Sequence, residues 1–300
     1  MRDICKEMRQ ILDERIVSKM KFKLLILFVV AALAALLYPP LVSATSILGS
    51  AENFAVLGGQ AVTNTGSTTI TGDVGVYPGS AITGFPPGLV TGTIHGPGAV
   101  SLQAQSDVTT AYTGLAAMPY NSVLTGKDLG GLTLTSGVYK FDSAAQLTGS
   151  LTLDAQHNNN AYWVFQIGSA LTTAPGSSVV LTNLGTNDGR DNGLYWQVGS
   201  SATLGTTTAF EGNILALTSI TMNTGATIPN GRALARNGAV TLDANAISPG
   251  YSGGLEFDTA GHVVPVPVPA AMLLLGSGLA GLAAFRKRFK KAGLIRPNQA

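Results

Sequence analysis

A short pattern, apolar–Thr–apolar, returns along the middle of this chain at nearly constant spacing and limits the folds that it can adopt. It occurs at Leu132-Thr133-Leu134, Leu151-Thr152-Leu153, Ala202-Thr203-Leu204, Ile220-Thr221-Met222 and Val240-Thr241-Leu242. Three of the intervals are 19, 18 and 20 residues, and the remaining one, of 51 residues, has room for an extra turn and an insertion. Short strands that recur in this way predict a parallel β-solenoid, in which each repeat forms one turn.

A second set of apolar segments is interleaved with the first. It comprises residues 195–198, 213–216 and 232–235, which start 18 and 19 residues apart. Alternate side chains of a strand point to opposite sides, so the apolar members of each triplet face the interior and the threonine faces solvent. We expect the five threonines to lie on the same face of successive turns. A β-sandwich built from ordinary strand residues is the alternative.

One segment departs from the strand pattern. Residues 101–118 place apolar side chains on one helical face, namely Leu102, Val108, Tyr112, Leu115 and Ala116. Ser101 is suited to cap the start of the helix, and Pro119 is suited to end it. We expect this helix to pack along the side of the solenoid. A helix that binds a partner protein is the alternative, but nothing basic or strongly amphipathic marks it.

Basic residues are concentrated at the two ends of the chain. Residues 1–23 contain seven Lys/Arg and residues 286–296 contain six, whereas residues 45–269 contain five, against twelve Asp/Glu. The body therefore carries a net charge of −7. Nucleic-acid binding requires a basic surface that neutralises phosphates, so this distribution argues against a nucleic-acid partner.

The N-terminal region has the organisation of a secretory signal peptide. Three lysines at positions 19, 21 and 23 precede an apolar run at residues 24–37, and Val42-Ser43-Ala44 follows as a small-residue cleavage site. We expect signal peptidase to remove residues 1–44, and residues 1–19 to be a mis-called start, since Met20 opens a more usual signal peptide. An uncleaved membrane anchor is the alternative. Cys5, the single cysteine, lies in this region, so no disulfide is expected in the body.

The C-terminal region, residues 263–300, has three parts. A stiff Val-Pro spacer ends at Pro269, an apolar run occupies residues 270–285, and Arg286-Lys287-Arg288 follows. This arrangement resembles the PEP-CTERM class of sorting signals, which implies recognition by an exosortase-type enzyme at the membrane. The sequence departs from the class motif because it has Pro267-Val268-Pro269 in place of Pro-Glu-Pro. A plain C-terminal membrane anchor is the alternative, and either reading makes the protein extracellular or surface-attached.

The ionisable residues of the body are not arranged for catalysis. Polysaccharide-cleaving enzymes need paired carboxylates in one cleft, whereas the acids here are scattered. His95, His157 and His262 are far apart and lack metal-ligand spacing. Residues 187–193 predict a surface loop whose acids do not have the spacing of an EF-hand. We expect a protein that is not an enzyme and uses no metal or cofactor. A surface or matrix adhesin that binds polysaccharide or partner cells is one alternative to the function proposed next.

Four long segments of the body resemble the microbial ice-binding family often called the DUF3494 type. They are residues 54–88, 136–156, 162–181 and 195–247, within a region of similarity that covers residues 47–248. The resemblance implies an all-β fold with one long helix, a right-handed, three-faced parallel β-solenoid with discontinuous winding. A segment near the N-terminus would pair beside the last turns, and the helix would lie alongside. It also implies that residues 45–262 form a domain that binds ice.

Ice recognition requires a rigid, flat surface whose side chains tolerate ordered water. Threonine suits this role because its β-branch limits rotamers and its hydroxyl joins the hydrogen-bond network of water. The family carries a loose Thr-Ala/Gly-x-Thr/Asn motif on its ice-binding face, which Thr65-Gly66-Ser67-Thr68 and Thr224-Gly225-Ala226-Thr227 match. The candidate ice-binding residues are the threonines of those two motifs and of the repeated triplets, together with Asn223: Thr65, Thr68, Thr133, Thr152, Thr203, Thr221, Asn223, Thr224, Thr227 and Thr241. Which face of the solenoid carries them is left open by the sequence.

Overall fold

The computed structural model describes residues 46–266, so the predicted signal peptide and most of the predicted sorting segment lie outside the described residues. Within that range the chain forms short β-strands, one α-helix, α1 (Ala99–Ala117), and a 3-10 helix (Gly49–Asn53). All of these strands except the last two are stacked in parallel into three sheets, which are called faces A, B and C. The solenoid prediction is confirmed.

Face A contains nine strands and faces B and C contain seven each. In spatial order, face A is β7 (Ile94–His95), β4 (Asp73–Val76), β1 (Phe54–Gly58), β21 (Gly231–Ala235), β18 (Gly212–Ala216), β16 (Gly193–Val198), β13 (Tyr162–Ile167), β10 (Gly137–Phe141) and β8 (Ser122–Val123). Face B is β11 (Ala145–Leu147), β14 (Leu171–Thr173), β17 (Ala202–Leu204), β19 (Ile220–Met222), β22 (Val240–Asp243), β2 (Ala61–Thr65) and β5 (Ala81–Thr83). Face C is β9 (Thr133–Thr135), β12 (Ser150–Asp154), β15 (Ser178–Thr182), β20 (Thr227–Ile228), β23 (Ala246–Ile247), β3 (Thr69–Ile70) and β6 (Leu89–Val90), with Ala209 bridging β15 and β20.

The winding of the solenoid is discontinuous. The first turn of the chain, β1 to β3, pairs with the last, β21 to β23, through Val56 and Ala233 on face A, Thr63 and Thr241 on face B, and Thr69 and Ala246 on face C. Helix α1 follows β7 in the chain and precedes β8, the strands at the two ends of face A. The helix therefore connects the two ends of the stack. The pairing of the first turn with the last agrees with what the family resemblance implies.

The interior of the solenoid is filled by apolar and aromatic side chains that stack from turn to turn. The rings of Phe165 and Trp196 are 4.0 Å apart and inclined by 9°, Tyr139 stacks on Phe165 at 5.6 Å, and Phe210 lies 4.8 Å from Trp196. Trp163 is completely buried as well. Close packing of large rings in successive turns makes the stack stiff.

Helix α1 packs on face A, as predicted, and Val108, Tyr112 and Leu115 of its predicted apolar side are buried there. The buried apolar residues also include Ala104 and Ala111, and all five form a second core with the outward-facing apolar residues of face A. The small alanines allow the helix to lie close to the sheet. Leu102, at 47% exposure, and Ala116 face solvent, so their predicted placement is wrong.

The predicted start of the helix is also wrong, while its end is confirmed. The helix begins at Ala99 with Gly98 as N-cap residue. Ser101 lies inside the first turn, where it is buried and its hydroxyl donates to the carbonyl of Gly96 at 3.0 Å. Pro119 follows the extended C-cap residue Met118.

The solenoid domain extends beyond residue 262, where the sequence suggests that the spacer begins. Strands β24 (Leu255–Phe257) and β25 (Val263–Pro265) form an antiparallel hairpin, in which Val263 is buried against α1. Val263, which the sequence assigns to the C-terminal spacer, thus belongs to the folded domain. Among residues 46–266, no helix is long and apolar enough to cross a membrane.

Candidate functional site

Face B carries a continuous row of outward-facing threonines, here called the threonine ladder. Six threonines of adjacent strands are paired in register, in the order Thr172, Thr203, Thr221, Thr241, Thr63 and Thr83. Gln146 extends the row at the β14 end. With strands about 4.8 Å apart, the six threonines span about 24 Å.

A parallel row of small side chains, here called the small-residue column, lies two residues before each of the six threonines and before Gln146. It consists of Ala144, Ala170, Ser201, Ser219, Ala239, Ala61 and Ala81. Alternate residues of a strand are about 6.6 Å apart, so the two rows form a grid of about 4.8 by 6.6 Å. Neither row contains a charged residue. Because alanine and serine do not rise above threonine, this part of face B is flat.

Hydrogen bonds hold both rows in place. In the ladder, the Thr63 hydroxyl donates to the Thr241 hydroxyl at 3.4 Å. In the small-residue column, the amide of Ser219 donates to the Ser201 hydroxyl oxygen, and the amide of Ala239 donates to the Ser219 hydroxyl oxygen, both at 3.3 Å. Each of these two serines is thereby tied to the next strand. Cross-strand pairing of β-branched side chains further limits their freedom.

Three members of the ladder, Thr63, Thr83 and Thr172, were missed by the sequence pattern. That pattern requires an apolar residue on each side, whereas these threonines are followed by Asn64, Gly84 and Thr173. Two of these followers are buried polar residues that make hydrogen bonds: Thr173 pairs with buried Thr208 at 2.8 Å, and the side-chain NH2 of Asn64 donates to the Gly84 carbonyl at 2.8 Å, although its Oδ1 has no partner among the described residues. A search for an apolar residue before the threonine alone would have found the whole row.

The five repeated triplets do not share one face, so that expectation is wrong. Thr203, Thr221 and Thr241 lie on face B, whereas Thr133 and Thr152 are paired with each other on face C. The apolar–Thr–apolar pattern identifies an outward-facing residue between two inward-facing ones. Strands on every open face of a three-faced solenoid can have this pattern, so it does not tell which face a strand belongs to.

Face C has no row comparable to the threonine ladder. Beside Thr152 the row on face C continues with Val180, whose side chain is 42% exposed, and in the neighbouring row Asp154 lies between Thr135 and Thr182. Face A is covered by α1. Of the three faces, face B alone is open and has an uninterrupted row of threonines.

The two family motifs lie where face B turns into face C. Thr65 is exposed at the end of β2 and its hydroxyl donates to the Leu242 carbonyl at 3.3 Å. Asn223 and Thr224 are exposed beside it, and the Thr224 hydroxyl donates to the Asp243 carboxylate. Thr227 has turned the corner and lies on face C, half-buried.

Thr68 cannot belong to any surface. It is 1% exposed, and its hydroxyl oxygen accepts a hydrogen bond from the amide of Asn245 at 3.0 Å. Its predicted place on a binding face is wrong because the corner motif turns its last residue inward to satisfy a buried backbone amide.

One titratable group, Asp243, lies at the edge of the threonine ladder, two residues after Thr241 on β22 and paired with Thr65. Glu211, His95 and His262 lie on other parts of the domain. Glu211, between Phe210 and β18, is partly buried, and burial raises the pKa of its carboxyl from 4.5 to about 7. His95 pairs with Asp73 at 3.0 Å on face A, and His262 pairs with Asp258 at 3.3 Å in the β24–β25 turn. Within residues 46–266, no group of three or more His, Cys, Asp or Glu side chains could hold a metal ion.

Comparison with known families gives two matches. A family described as Ice-binding-like matches residues 56–248, and the PEP-CTERM protein-sorting motif matches residues 265–288. An ice-binding protein of Nostoc sp. (strain HG1) is 52% identical over 275 residues, which cover 91% of this chain and 98% of that protein. An ice-binding protein of Flavobacterium frigoris (strain PS1) is 36% identical over 217 residues, covering 67% and 75%.

Solved structures have the same fold. An ice-binding protein from an Antarctic biological consortium superposes with a TM-score of 0.64 at 48% identity, covering 71% of this chain and 94% of that one. An ice-binding protein from the Antarctic ascomycete Antarctomyces psychrotrophicus gives a TM-score of 0.63 at 43% identity, covering 69% and 98%.

Proposed function

The chain belongs to the Ice-binding-like family, and we propose from this that it binds ice through face B. The observation that carries the assignment to this face is the threonine ladder, six threonines in register beside a row of alanine and serine. The protein acts by adsorption and not as an enzyme. Its partner is ordered water, and it needs no cofactor.

The grid of face B suits a lattice of water. Each threonine offers a methyl group around which water can order and a hydroxyl that joins the hydrogen-bond network. Single contacts of this kind are weak, so the surface must offer many of them at fixed positions. The stacked interior and the in-register strands supply that rigidity. Because binding requires little rearrangement, the weak contacts act together.

Residues at the edge of face B extend the proposed surface. Thr65, Asn223 and Thr224 are exposed next to the ladder, so we include them as peripheral contacts. Thr133, Thr152 and Thr227 lie on face C and are not part of it. Adsorbed molecules would force ice to grow as curved fronts between them, which lowers the freezing point and slows recrystallisation.

The protein is proposed to act outside the cell. The match to the PEP-CTERM motif at residues 265–288 suggests export and sorting to the cell surface. Signal peptidase at the N-terminal end, and an exosortase-type enzyme at the C-terminal end, would be the processing partners, with membrane contact confined to the terminal segments.

The purified protein tests the proposal directly. We expect thermal hysteresis, shaped ice crystals and inhibition of recrystallisation in a solution of the full chain. A folded protein that has none of these activities would overturn the proposal and favour an adhesin for polysaccharide or partner cells.

A further inference from the structure

The end of the described domain is fixed to one corner of the solenoid. After β23 the chain runs along the edge between face C and face A, here called the C–A corner. The carbonyl of Tyr251 accepts hydrogen bonds from the amide of Leu194 at 3.0 Å and from the side chain of Asn213 at 2.8 Å. One step further, the amide of Gly253 donates to the carbonyl of Asn192 at 3.1 Å. The chain therefore crosses successive turns while remaining bound to them.

The last described residue is held at the same corner. The amide of Val266 donates to the carbonyl of Gly254 at 3.0 Å, and the Tyr195 hydroxyl donates to the carbonyl of Ser252 at 2.6 Å. Leu255 and Val263 of the hairpin are buried in the core between face A and α1. The segment that matches the sorting motif, which begins at residue 265, thus continues from a rigid point.

This corner lies opposite face B. Each turn passes through faces A, B and C in that order, as β16, β17 and Ala209 do before β18 returns to face A. Of the three corners of such a prism, the C–A corner is the one that does not border face B. The start of the domain is there as well, because the Ser46 hydroxyl donates to the carbonyl of Ser252 at 3.4 Å. Both chain ends leave the domain on the side away from the threonine ladder.

We infer that the protein is built to hold ice while attached to a cell envelope through its C-terminal segment, with face B directed away from the envelope. The inference rests on the proposed function of face B. A freely diffusing protein can use any face, whereas an attached one needs its attachment point away from the face that binds. Many attached copies on one cell would bind a single crystal together, and such multivalency strengthens adhesion far beyond one contact. The partner would be the surface of an ice crystal, and the outcome would be adhesion of cells to ice.

Oriented coupling to beads tests the geometry. Two full-chain variants carry Cys5→Ser and one new cysteine, either Ala260→Cys in the exposed β24–β25 turn or Gln146→Cys at the end of the threonine ladder. Each is coupled to maleimide beads at equal density and exposed to a growing ice surface. Beads coupled through Ala260→Cys should be retained roughly tenfold more than beads coupled through Gln146→Cys. Equal retention, or none with Ala260→Cys, would overturn the inference.

Soluble protein separates the inference from the function on which it rests. If the Ala260→Cys variant binds ice in solution but its beads do not, attachment at this side is incompatible with binding and the inference alone fails. If the variant is folded but inactive in solution, and wild type is inactive too, the proposed function fails.

Cells that make the full chain provide the second readout. They should be captured by ice, and cells that make an equal surface amount of Thr221→Tyr should be captured much less. Equal capture of both, or complete release of the protein into the medium, would contradict attachment as its working state.

Discussion

Substitution of Thr221 by tyrosine should abolish most of the ice binding without unfolding the protein. Thr221 is an inner member of the threonine ladder, paired with Thr203 on one side and Thr241 on the other. A tyrosine ring stands well above these neighbours, and a rigid face cannot bend around it. All three threonines then lose contact with a flat crystal.

The expected loss follows from the number of contacts removed. Withdrawing three methyl groups at about 0.8 kcal/mol each costs about 2.4 kcal/mol. This corresponds to a decrease in affinity of about 60-fold. The interior is unaffected because the Thr221 side chain points outward, so the free energy of unfolding should change by less than about 0.5 kcal/mol.

Thr152→Tyr is the matched control. Thr152 lies between Leu151 and Leu153 in the same triplet pattern, but on face C. Thermal hysteresis and the lowest concentration that stops recrystallisation are measured for both variants, and circular dichroism checks their folding. Full activity of Thr221→Tyr, or equal losses in the two variants, would refute the assignment of ice binding to face B.

Three other substitutions test features of the interior. Thr68→Val leaves the amide of Asn245 without its acceptor, so the free energy of unfolding, measured by thermal denaturation, should fall by about 1–3 kcal/mol. Ice binding of the folded variant should persist, and a loss of ice binding by folded protein would show that Thr68 contributes to the binding surface. The raised pKa of Glu211, about 7 against 4.5, means that the folded state keeps a proton that the unfolded state releases between these values, so stability falls as pH rises through this window. Glu211→Gln should therefore have a smaller decrease in Tm between pH 5 and pH 8 than wild type, and identical decreases would show that Glu211 does not titrate in this way. Trp196→Ala removes the centre of the aromatic stack and should cost about 3–5 kcal/mol, measured by denaturant unfolding, where a cost below 1 kcal/mol would contradict the role of the stack.

The solenoid could be predicted from the sequence because each turn requires apolar residues at its inward positions, and these recur at a regular spacing. Inward positions such as Ile220 and Val240 must be apolar, and their spacing of 20 residues matches the length of one turn. The helix could be predicted for a similar reason, and so could three of its buried residues, Val108, Tyr112 and Leu115. Alanines at 104 and 111 are buried because face A lies close to the helix, whereas the predicted Ala116 is exposed. Helical periodicity alone does not show which of the small residues face the sheet.

Assignment of threonines to faces required the structure. Alternation shows that Thr152 and Thr221 both point outward, but it does not show that Thr152 is on face C and Thr221 on face B. The face depends on where the chain turns each corner. The buried position of Thr68 depends on a hydrogen bond with Asn245, 177 residues away in the chain. Contacts between the first and last turns of a discontinuous solenoid leave no local signal of this kind.

Adsorption of labelled protein to a single ice crystal tests the central claim most directly. The wild-type chain and Thr221→Tyr are labelled with dyes of different colours, mixed in equal amounts and frozen slowly around one crystal. We expect the wild-type colour to be enriched in the ice and the variant colour to remain largely in the liquid. Equal incorporation of both colours, or exclusion of both, would contradict binding of ice by the threonine ladder of face B.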